Sequence, residues 1–302
     1  MNEPRGRGAS AQDTVEARPA VILVGTPIGN LGDISPRAVE ALTSADVIAA
    51  EDTRRTRPML TALGIPAGGR LVSFHGPHEA ELAARLVARI IERDERLVCV
   101  TDAGMPGISD PGERLVTAAL AAGVAVEVVP GPSAALAALV VSGLPTARFV
   151  FEGFLPRKGR QRAARLAELA AEERTVVLFE APHRLEATLA DLTAALGSDR
   201  PVAVAREITK RFETVWRGTL GGTASGEADR PEARGEQVIV LGPAAPAPHT
   251  EPDDTAIEAA LRAELASGAS TRDAAAVVAN RLGVARRRAY DLANTLRGRA
   301  RS

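Results

Sequence analysis

Short apolar runs alternate with longer segments of helical periodicity through the first half of the chain. The runs are typical of buried strands and lie at residues 20–24, 47–50, 71–74, 97–100 and 124–129. Between them, residues 79–93 and 132–141 have helical patterns, and Ser35 followed by Pro36 is a helix start, with Ser as N-cap and Pro at the first position. Strand–helix alternation with short loops predicts a parallel or mostly parallel sheet covered on both faces.

A second block of alternating elements begins near residue 149. Its strands are predicted at residues 149–152, 175–179, 202–206, 214–218 and 237–241, with helices at 160–172 and 184–195. The later strands follow one another without a helix, so this sheet is predicted to be mixed and partly antiparallel. Residues 221–234 are rich in Gly, Glu and Arg without periodicity and are predicted to form a mobile loop.

The C-terminal part of the chain differs in composition from both blocks. Residues 243–254 are rich in Pro and Ala, as in a linker, and three helices are predicted after it, separated at Gly268 and Gly283 and resembling a helix-turn-helix unit. Ser270 and Thr271 supply a cap for the second of them. The predicted organisation is a flexible arm at 1–18, α/β domains at 19–146 and 147–242, the linker, and a basic helical domain at 255–302.

Composition narrows the classes of protein that fit. Of 302 residues, 45% are hydrophobic and only 3% aromatic, so ordered cores of aliphatic residues are expected. The net charge of -1 means that any contact with nucleic acid must be a local basic patch. The single cysteine, Cys99, lies within a strand and is expected to be buried and reduced. A polar N-terminus and the lack of a 20-residue apolar run predict a cytoplasmic protein without signal peptide or membrane span.

Loops rich in Gly, Pro and polar residues follow each strand of the first block. They lie at residues 25–33, 51–57, 75, 101–112 and 130–135. Because ligands of open α/β sheets bind beyond the carboxyl ends of the strands, five such loops on one edge predict a site there.

Several common kinds of site are excluded by spacing. Gly25, Gly29 and Gly32 do not fit the dinucleotide-binding pattern, and neither a phosphate-binding P-loop nor a G-x-S-x-G elbow occurs. Four histidines without paired cysteines make a metal site unexpected. What remains is a crevice shaped by glycine and proline, which can hold a bulky organic cofactor through backbone groups.

Seven segments in order resemble one known family. They read GTPIGNLGDISPRA, AAEDTRRTR, TDAGMPGISDPG, PGPSAALAALVVSGLPT, FEGFLPRKGR, FEAPHRL and VAREITKRFE, spread over residues 21–241. They are similar to the ribosomal RNA small subunit methyltransferase I family of the tetrapyrrole-methylase superfamily. The resemblance implies two α/β domains with S-adenosylmethionine (SAM) in the cleft between them, plus the C-terminal helices. It also implies a homodimer, without metal or membrane, that methylates the ribose 2′-hydroxyl of a cytidine in the decoding region of 16S rRNA on the small subunit.

The resemblance also assigns residues to the cofactor. The loop after the fourth strand is implied to form one wall of the SAM pocket, the start of a helix another, and a segment of the second domain to close over the adenosine. The implied cofactor-binding residues are Pro27, Asp102, Ala103, Gly104, Pro106, Ile108, Ser133, Ala134, Phe179, Glu180 and Ala181.

Two positions depart from the family pattern. Met105 stands where members usually have Thr, which is expected to cost one hydroxyl contact. Residues 73–79 read SFHGPHE instead of the histidine-rich SFHEHNE, which weakens a catalytic role for that loop although His75 and Glu79 are kept.

The catalytic base and the RNA contacts are left as sets of candidates. Carboxylates and a histidine at the predicted cleft edge are Asp33, Glu51, Asp52, His75, Glu180 and Glu207, of which Asp33, Glu51, His75 and Glu180 are preferred. Asp110 is expected to be a helix N-cap instead. The candidate RNA-binding residues are Arg54, Arg55, Arg57, Arg157, Lys158, Arg160, Lys210 with its neighbour Arg211, Arg286, Arg287 and Arg288.

Two alternatives remain open at the level of the sequence. A methyltransferase of the same fold that acts on a tetrapyrrole would not require the basic loops and tail. A DNA-binding regulator would use the C-terminal helices as its reader, and only their helix-turn-helix resemblance supports it.

Overall fold

The computed structural model describes residues 19–224, 235–244 and 252–299, which fall into two compact units divided after Ala244. The predicted arm at 1–18, most of the predicted loop at 221–234 and most of the predicted linker at 243–254 lie outside the described residues.

The first sheet has five parallel strands, as predicted. The strands are β1 (Ala20–Val24), β2 (Val47–Ala50), β3 (Leu71–Ser73), β4 (Arg96–Val100) and β5 (Ala125–Val129), in the order β3-β2-β4-β1-β5. The helices are α1 (Pro36–Ser44), α2 (Thr53–Ala62), α3 (Glu79–Arg93), α4 (Glu113–Ala121) and α5 (Ala134–Ser142). Ser35 caps α1 with Pro36 at its first position, which confirms that predicted helix start.

Alternating side chains of these strands build two aliphatic layers. Ile22 on one face of β1 packs in a cluster with Leu42 and Leu60, whereas Val21 on the other face belongs to a cluster with Val87 and Ile90. Helices therefore cover both faces of the sheet, and its polar loops are left at the strand ends.

The second sheet is mixed, as predicted. Its strands are β6 (Phe149–Phe154), β7 (Thr175–Glu180), β8 (Pro201–Arg206), β9 (Thr214–Thr219) and β10 (Gln237–Leu241), in the order β6-β7-β10-β8-β9. Only β6 and β7 pair in parallel; β10 is antiparallel to β7 and β8, and β9 is antiparallel to β8. The helices are α6 (Gly159–Ala170), α7 (Leu185–Leu196) and α8 (Leu220–Ala224). Helix α8 shows that the predicted loop at 221–234 was wrong over residues 221–224. This helix begins at Leu220, whose side chain is buried, directly after Thr219 ends β9.

Helix α5 joins the two sheets. Its sequence, AALAALVVS, is apolar on nearly every face, and one of these faces packs against the second sheet. Ala138 and Leu139 pack in one cluster with Val177 and Ala203 of the second sheet. This cluster also contains Ile28, from the loop after β1, and Ile208, from the loop after β8.

The C-terminal unit contains the helices α9 (Asp254–Ala266), α10 (Thr271–Leu282) and α11 (Arg286–Arg299), which confirms the three predicted helices. Asp253 and Ser270 are the N-caps of the first two helices. Asp253 and Asp254, which were predicted to end the linker, are therefore the N-cap and the first residue of α9. Gly283 ends α10 at a φ of 66°, and residues such as Ile257 and Val278 form the core.

Candidate active site

The carboxyl edges of the two sheets meet at a cleft. All five parallel strands of the first sheet send their following loops to one edge, which confirms the expected clustering of the polar loops. Two contacts join this edge to the second sheet. The Ser109 hydroxyl lies 3.0 Å from where a Cβ of Gly153 would stand, and the side chain of Lys210 fills the space beside Gly29.

Glycine at position 104 is required by a backbone pairing across the cleft floor. Thr26 N donates to Gly104 O over 2.9 Å, and Gly104 N donates to Thr26 O over 3.2 Å. The Thr26 hydroxyl adds a bond to Thr101 O at 3.2 Å. Gly104 has a φ of 85°, which residues with a side chain rarely adopt. The loop after β4 can therefore turn back onto β1 only with glycine at this position.

A second close approach lies under this pairing. A Cβ on Gly25 would stand 2.6 Å from Gly131 Cα and 2.7 Å from Met105 Sδ. The loops after β1 and β5 are therefore in backbone contact, with Met105 packed over their crossing. Met105, which stands where the family usually has Thr, therefore fills space at the cleft floor.

The rest of the loop at 101–112 is closed on itself. Gly107 N donates to Pro111 O at 3.1 Å, and Ser109 has a φ of 65°. Gly112 is the N-cap of α4, and its N–H donates a hydrogen bond to Glu79 Oε1 at 3.0 Å. The expectation that Asp110 is the N-cap was therefore wrong, because the helix begins two residues later.

The cleft offers groups that suit a bulky organic cofactor. Ser133 caps α5 by accepting a hydrogen bond from Leu136 N at 3.4 Å, which leaves Ala134 at the helix start. Ile108 is 47% exposed at the tip of its loop. Phe179 packs edge-on against Phe151, with ring centroids 5.1 Å apart. The remaining predicted cofactor residues of the first sheet lie on the same loops: Pro27, Asp102, Ala103 and Pro106.

A polar cavity of about 380 Å³ lies beside this floor. It is lined by Glu51, Asp52, Thr53, Arg54, Ser73, His75 and Asp102. Asp52 N donates to Asp102 Oδ1 at 3.2 Å, and Asp102 N donates to Glu51 Oε2 at 3.1 Å. These reciprocal bonds fix the ends of β2 and β4 and set the three carboxylates at one wall.

Two of these carboxyl groups have shifted pKa values. Arg54 binds Asp52 through two nitrogens, at 3.0 and 2.7 Å, and these hydrogen bonds lower the pKa of Asp52 to about 2. Burial raises the pKa of Asp102, although Arg55 lies 3.4 Å away and acts in the opposite direction. Asp52 is thus tied to an arginine as a carboxylate and is poorly suited to accept a proton.

The structure brings only some of the candidate bases together. Glu51 and His75 line the same cavity. Asp33 is exposed at the end of a short 3-10 helix (Leu31–Asp33) on the loop after β1. Glu207 holds Lys210 at 3.0 Å.

Glu180 belongs to a buried network rather than to the cavity. Its side chain is 1% exposed and accepts hydrogen bonds from the Thr188 hydroxyl at 2.6 Å and Ala181 N at 2.8 Å. The Arg184 guanidinium lies 3.4 Å away. This carboxylate already has its partners and cannot readily reach a substrate.

Asp110 is a carboxyl group of the cleft that the sequence did not single out as a candidate base. It is half-buried, and burial is the main cause that raises its pKa to about 7, followed by the charges of Glu51, Asp102 and Glu236. Such a value suits a general base at neutral pH. Its position within a Gly/Pro loop gave no signal for this, because the burial of its side chain is set by tertiary packing.

The predicted RNA contacts divide into free and engaged cations. Arg57 is exposed on α2, and Arg157, Lys158 and Arg160 are exposed in the loop after β6 and the first turn of α6. Arg54 and Arg55 are also exposed on α2, but they are engaged by Asp52 and Asp102. Lys210 is engaged by Glu207 and by Glu236, the latter at 3.4 Å. In the C-terminal unit Arg286 and Arg287 are exposed, whereas Arg288 pairs with Asp254 at 2.8 Å.

A larger cavity, of about 520 Å³, lies at the opposite edge of the second sheet. Arg148, Glu172 and Arg174 line it, and Arg174 lowers the pKa of Glu172 to about 2. The smaller cavity is the candidate active site, because ligands of such sheets bind at the carboxyl edge and the close backbone contacts are there.

Two absences hold for the described residues, 19–224, 235–244 and 252–299. Within these ranges no helix is long and apolar enough to cross a membrane. The same part of the chain has no cluster of three or more His, Cys, Asp or Glu side chains arranged to hold a metal ion.

Comparison with protein families and curated proteins gives consistent relatives. The model of the tetrapyrrole (corrin/porphyrin) methylases matches residues 20–224. The chain is 44% identical to the ribosomal RNA small subunit methyltransferase I of Synechocystis sp., over 89% of this chain and 95% of that protein. It is 47% identical to the Mycobacterium tuberculosis protein of the same name, over 90% of this chain and 93% of that protein.

Solved structures with this fold are more distant in sequence. The uroporphyrin-III C-methyltransferase of Thermus thermophilus, complexed with S-adenosylhomocysteine, is 26% identical with a TM-score of 0.52, over 74% of this chain and 97% of that one. The methyltransferase CobJ is 20% identical with a TM-score of 0.53, over 75% and 94%. The second likeness concerns the fold alone.

Proposed function

We propose a methyl-transfer function for this chain because it belongs to the tetrapyrrole methylase family and, within it, to the ribosomal RNA small subunit methyltransferases I. The reaction is transfer of the methyl group of SAM to the ribose 2′-hydroxyl of a cytidine in the decoding region of 16S rRNA, on the small subunit. The proposed location is the cytoplasm, where small ribosomal subunits are found. The observation that carries the proposal is identity of 44% and 47% to proteins of that name over nearly the whole of both chains.

The cleft between the sheets is the proposed SAM site. The helix start at Ser133 and Ala134 can receive the cofactor's carboxylate, since backbone N–H groups point out of a helix N-terminus. Ile108 and Phe179 supply apolar contacts on opposite walls. The bound cofactor supplies a methyl group already activated by a sulfonium. The chain must therefore align the acceptor with it, and good alignment can contribute about 7–11 kcal/mol.

The polar cavity is the proposed place of the acceptor hydroxyl. A positioned base adds roughly 10²–10⁴-fold to such a reaction, and the candidates beside this cavity are Glu51, His75 and Asp110. Asp33 and Glu180 remain from the sequence prediction, but Asp33 is exposed and Glu180 is buried with three partners. Glu51 and Asp110 are the groups we favour.

The exposed cations at both carboxyl edges are the proposed RNA contacts. Arg57 lies on the first-sheet side, and Arg157, Lys158 and Arg160 lie on the other. Cations on two sides of one cleft can hold the phosphates that flank an inserted nucleotide, which positions the substrate without reading its sequence.

A homodimer is the proposed assembly. Leu136 and Val140 lie four residues apart on α5 and are 51% and 73% exposed, beside the second sheet to which α5 packs. An apolar face of this kind is expected to be covered by a second copy. Light scattering of the purified protein should give twice the mass of one chain, and Val140→Lys should reduce it to the monomer.

A tetrapyrrole substrate is the rival within the same fold. The uroporphyrin-III C-methyltransferase described above, which carries a tetrapyrrole in its name, is 26% identical, well below the 44% identity to an rRNA enzyme. Incubation with labelled SAM and either unmodified small subunits or a uroporphyrinogen decides between them. We expect label in 16S rRNA; label on the tetrapyrrole alone would contradict the proposal.

A further inference from the structure

The loop after β8 presents an aromatic side chain that methyl transfer itself does not use. Phe212 is 64% exposed, and the Arg211 guanidinium carbon lies 5.5 Å from the centre of its ring. An aromatic ring beside a guanidinium is the pair of side chains on which the bases of unpaired nucleic acids stack.

Internal hydrogen bonds hold this loop in shape. Lys210 N donates to Glu207 O at 2.9 Å, and Glu213 N donates to Lys210 O at 3.2 Å. Thr209 N donates to Glu213 Oε2 at 2.7 Å. Glu207 and Thr209 have φ values of 51° and 67°, which non-glycine residues rarely adopt. The tip that carries Phe212 is therefore preformed, so less ordering is required when it binds.

The same loop is anchored at the mouth of the cleft. The aliphatic part of Lys210 lies against Gly29, on the loop after β1, and its ammonium is taken by Glu207 and Glu236. Arg211 has no carboxylate within ion-pair distance among the described residues, so its charge is available to a ligand.

We propose that Arg211 and Phe212 form a stacking site for an unpaired nucleotide of the RNA, next to the nucleotide that enters the cleft. The inference rests on the function proposed above. A phenylalanine face accepts any base, and a guanidinium can stack on a base or bind a phosphate. Recognition of an unpaired stretch in this way suits an enzyme whose target ribose must be drawn out of a folded RNA.

Binding of a fluorescein-labelled single-stranded oligocytidylate to the full-length protein tests the site. We expect Phe212→Ala to weaken binding roughly 5- to 150-fold, the usual contribution of one stacked base. Phe212→Trp should bind like the parent, whereas Phe212→Leu should be as weak as the alanine variant, since it keeps apolar contact but loses the ring. Phe149→Ala is the matched control, because Phe149 is also exposed but starts β6 at the opposite edge.

The proposal is overturned if the parent does not bind the oligonucleotide, or if Phe212→Ala binds it as well as the parent. Parent-like binding by Phe212→Leu would also overturn it, because it indicates an apolar contact such as a protein surface offers. In methyl transfer to small subunits, we expect Phe212→Ala to raise KM with little change in kcat. Ring-dependent oligonucleotide binding without any methyl transfer by the parent would support the stacking site and contradict the proposed reaction instead.

Discussion

Gly25 and Gly131 bring the loops after β1 and β5 so close together that a Cβ on Gly25 would stand 2.6 Å from Gly131 Cα. The backbone on each side of this crossing forms the cleft floor, and neither loop can withdraw without disturbing its strand. Gly25 N also donates to Val129 O at 3.0 Å, which ties the crossing to β5.

Gly25→Ala should therefore damage both stability and cofactor binding. Forcing a methyl group into a packed site costs typically about 1–3 kcal/mol, so we expect a loss of that size in urea denaturation. SAM affinity, measured by calorimetry, should fall as well, because the floor shifts. Gly69→Ala is the control, since a Cβ there meets nothing within 4 Å and both quantities should remain as in the parent.

Glu180 is expected to act on stability rather than on the chemical step. Glu180→Ala leaves Thr188, Ala181 N and Arg184 without their buried acceptor and should cost about 3 kcal/mol in the free energy of unfolding. Glu180→Gln can still accept from Thr188 and should retain most of the methyl-transfer rate. A folded, stable Glu180→Gln protein without activity would restore Glu180 as a base.

Asp110 should give a pH-dependent stability with a defined sign. Its pKa is raised to about 7 in the folded protein, against about 3.9 for a free side chain. The folded state therefore retains this proton, and the associated stability is fully present below about pH 4 and lost as the pH rises through 7.

Asp110→Asn removes this pH dependence, because asparagine does not titrate. The free energy of unfolding of the variant, relative to that of the parent, should therefore grow between pH 4 and pH 7 and level off above. Urea denaturation of both proteins at several pH values measures it. A difference that does not depend on pH would contradict the assigned burial. If Asp110 is the base, the same variant should also lose about 10²–10⁴-fold in kcat.

The basic loop after β6 should contribute to the salt dependence of RNA binding. Arg157 lies beyond the carboxyl end of β6, whereas Arg148 lies just before its amino end, and both are exposed. Arg157→Ala should reduce the slope of log affinity against log salt by about 1, as for one lost phosphate contact. Arg148→Ala should leave the slope unchanged; equal effects of the two would argue against a directed RNA face.

The arginines at the start of α11 fall into two groups that can be tested separately. Arg288→Ala breaks an exposed pair with Asp254 and should cost at most about 1 kcal/mol in stability. Replacing Arg286 and Arg287 together should instead lower affinity for small subunits without affecting stability. Unchanged affinity in that double variant would show that the tail does not bind RNA.

The sequence predicted the strands of both sheets to within about two residues, because apolar runs between Gly- and Pro-rich loops leave few alternatives. It also predicted that the polar loops gather at one edge of the first sheet, since parallel strands must send their carboxyl ends to one edge. The helix at Leu220–Ala224 was missed, because it is five residues long and glycine-rich.

Partners that are distant in sequence could not be predicted in the same way. Asp110 looked like a helix cap, but its pKa is raised mainly by burial in the folded chain, and then by the charges of Glu51, Asp102 and Glu236. Glu180 looked like a cleft residue, but Thr188, eight positions further along the chain, holds it in the core. Which carboxylate is free and which is engaged depends on tertiary packing. Composition does not indicate these partners.

The position of the transferred methyl group tests the central claim most directly. Small subunits that lack the modification are incubated with the protein and methyl-labelled SAM, and the labelled 16S rRNA is hydrolysed in alkali, which cannot cleave after a 2′-O-methylated nucleotide. We predict that the label is recovered in an alkali-resistant dinucleotide beginning with cytidine. Label recovered only in single nucleotides, or only on a tetrapyrrole supplied in parallel, would contradict the account.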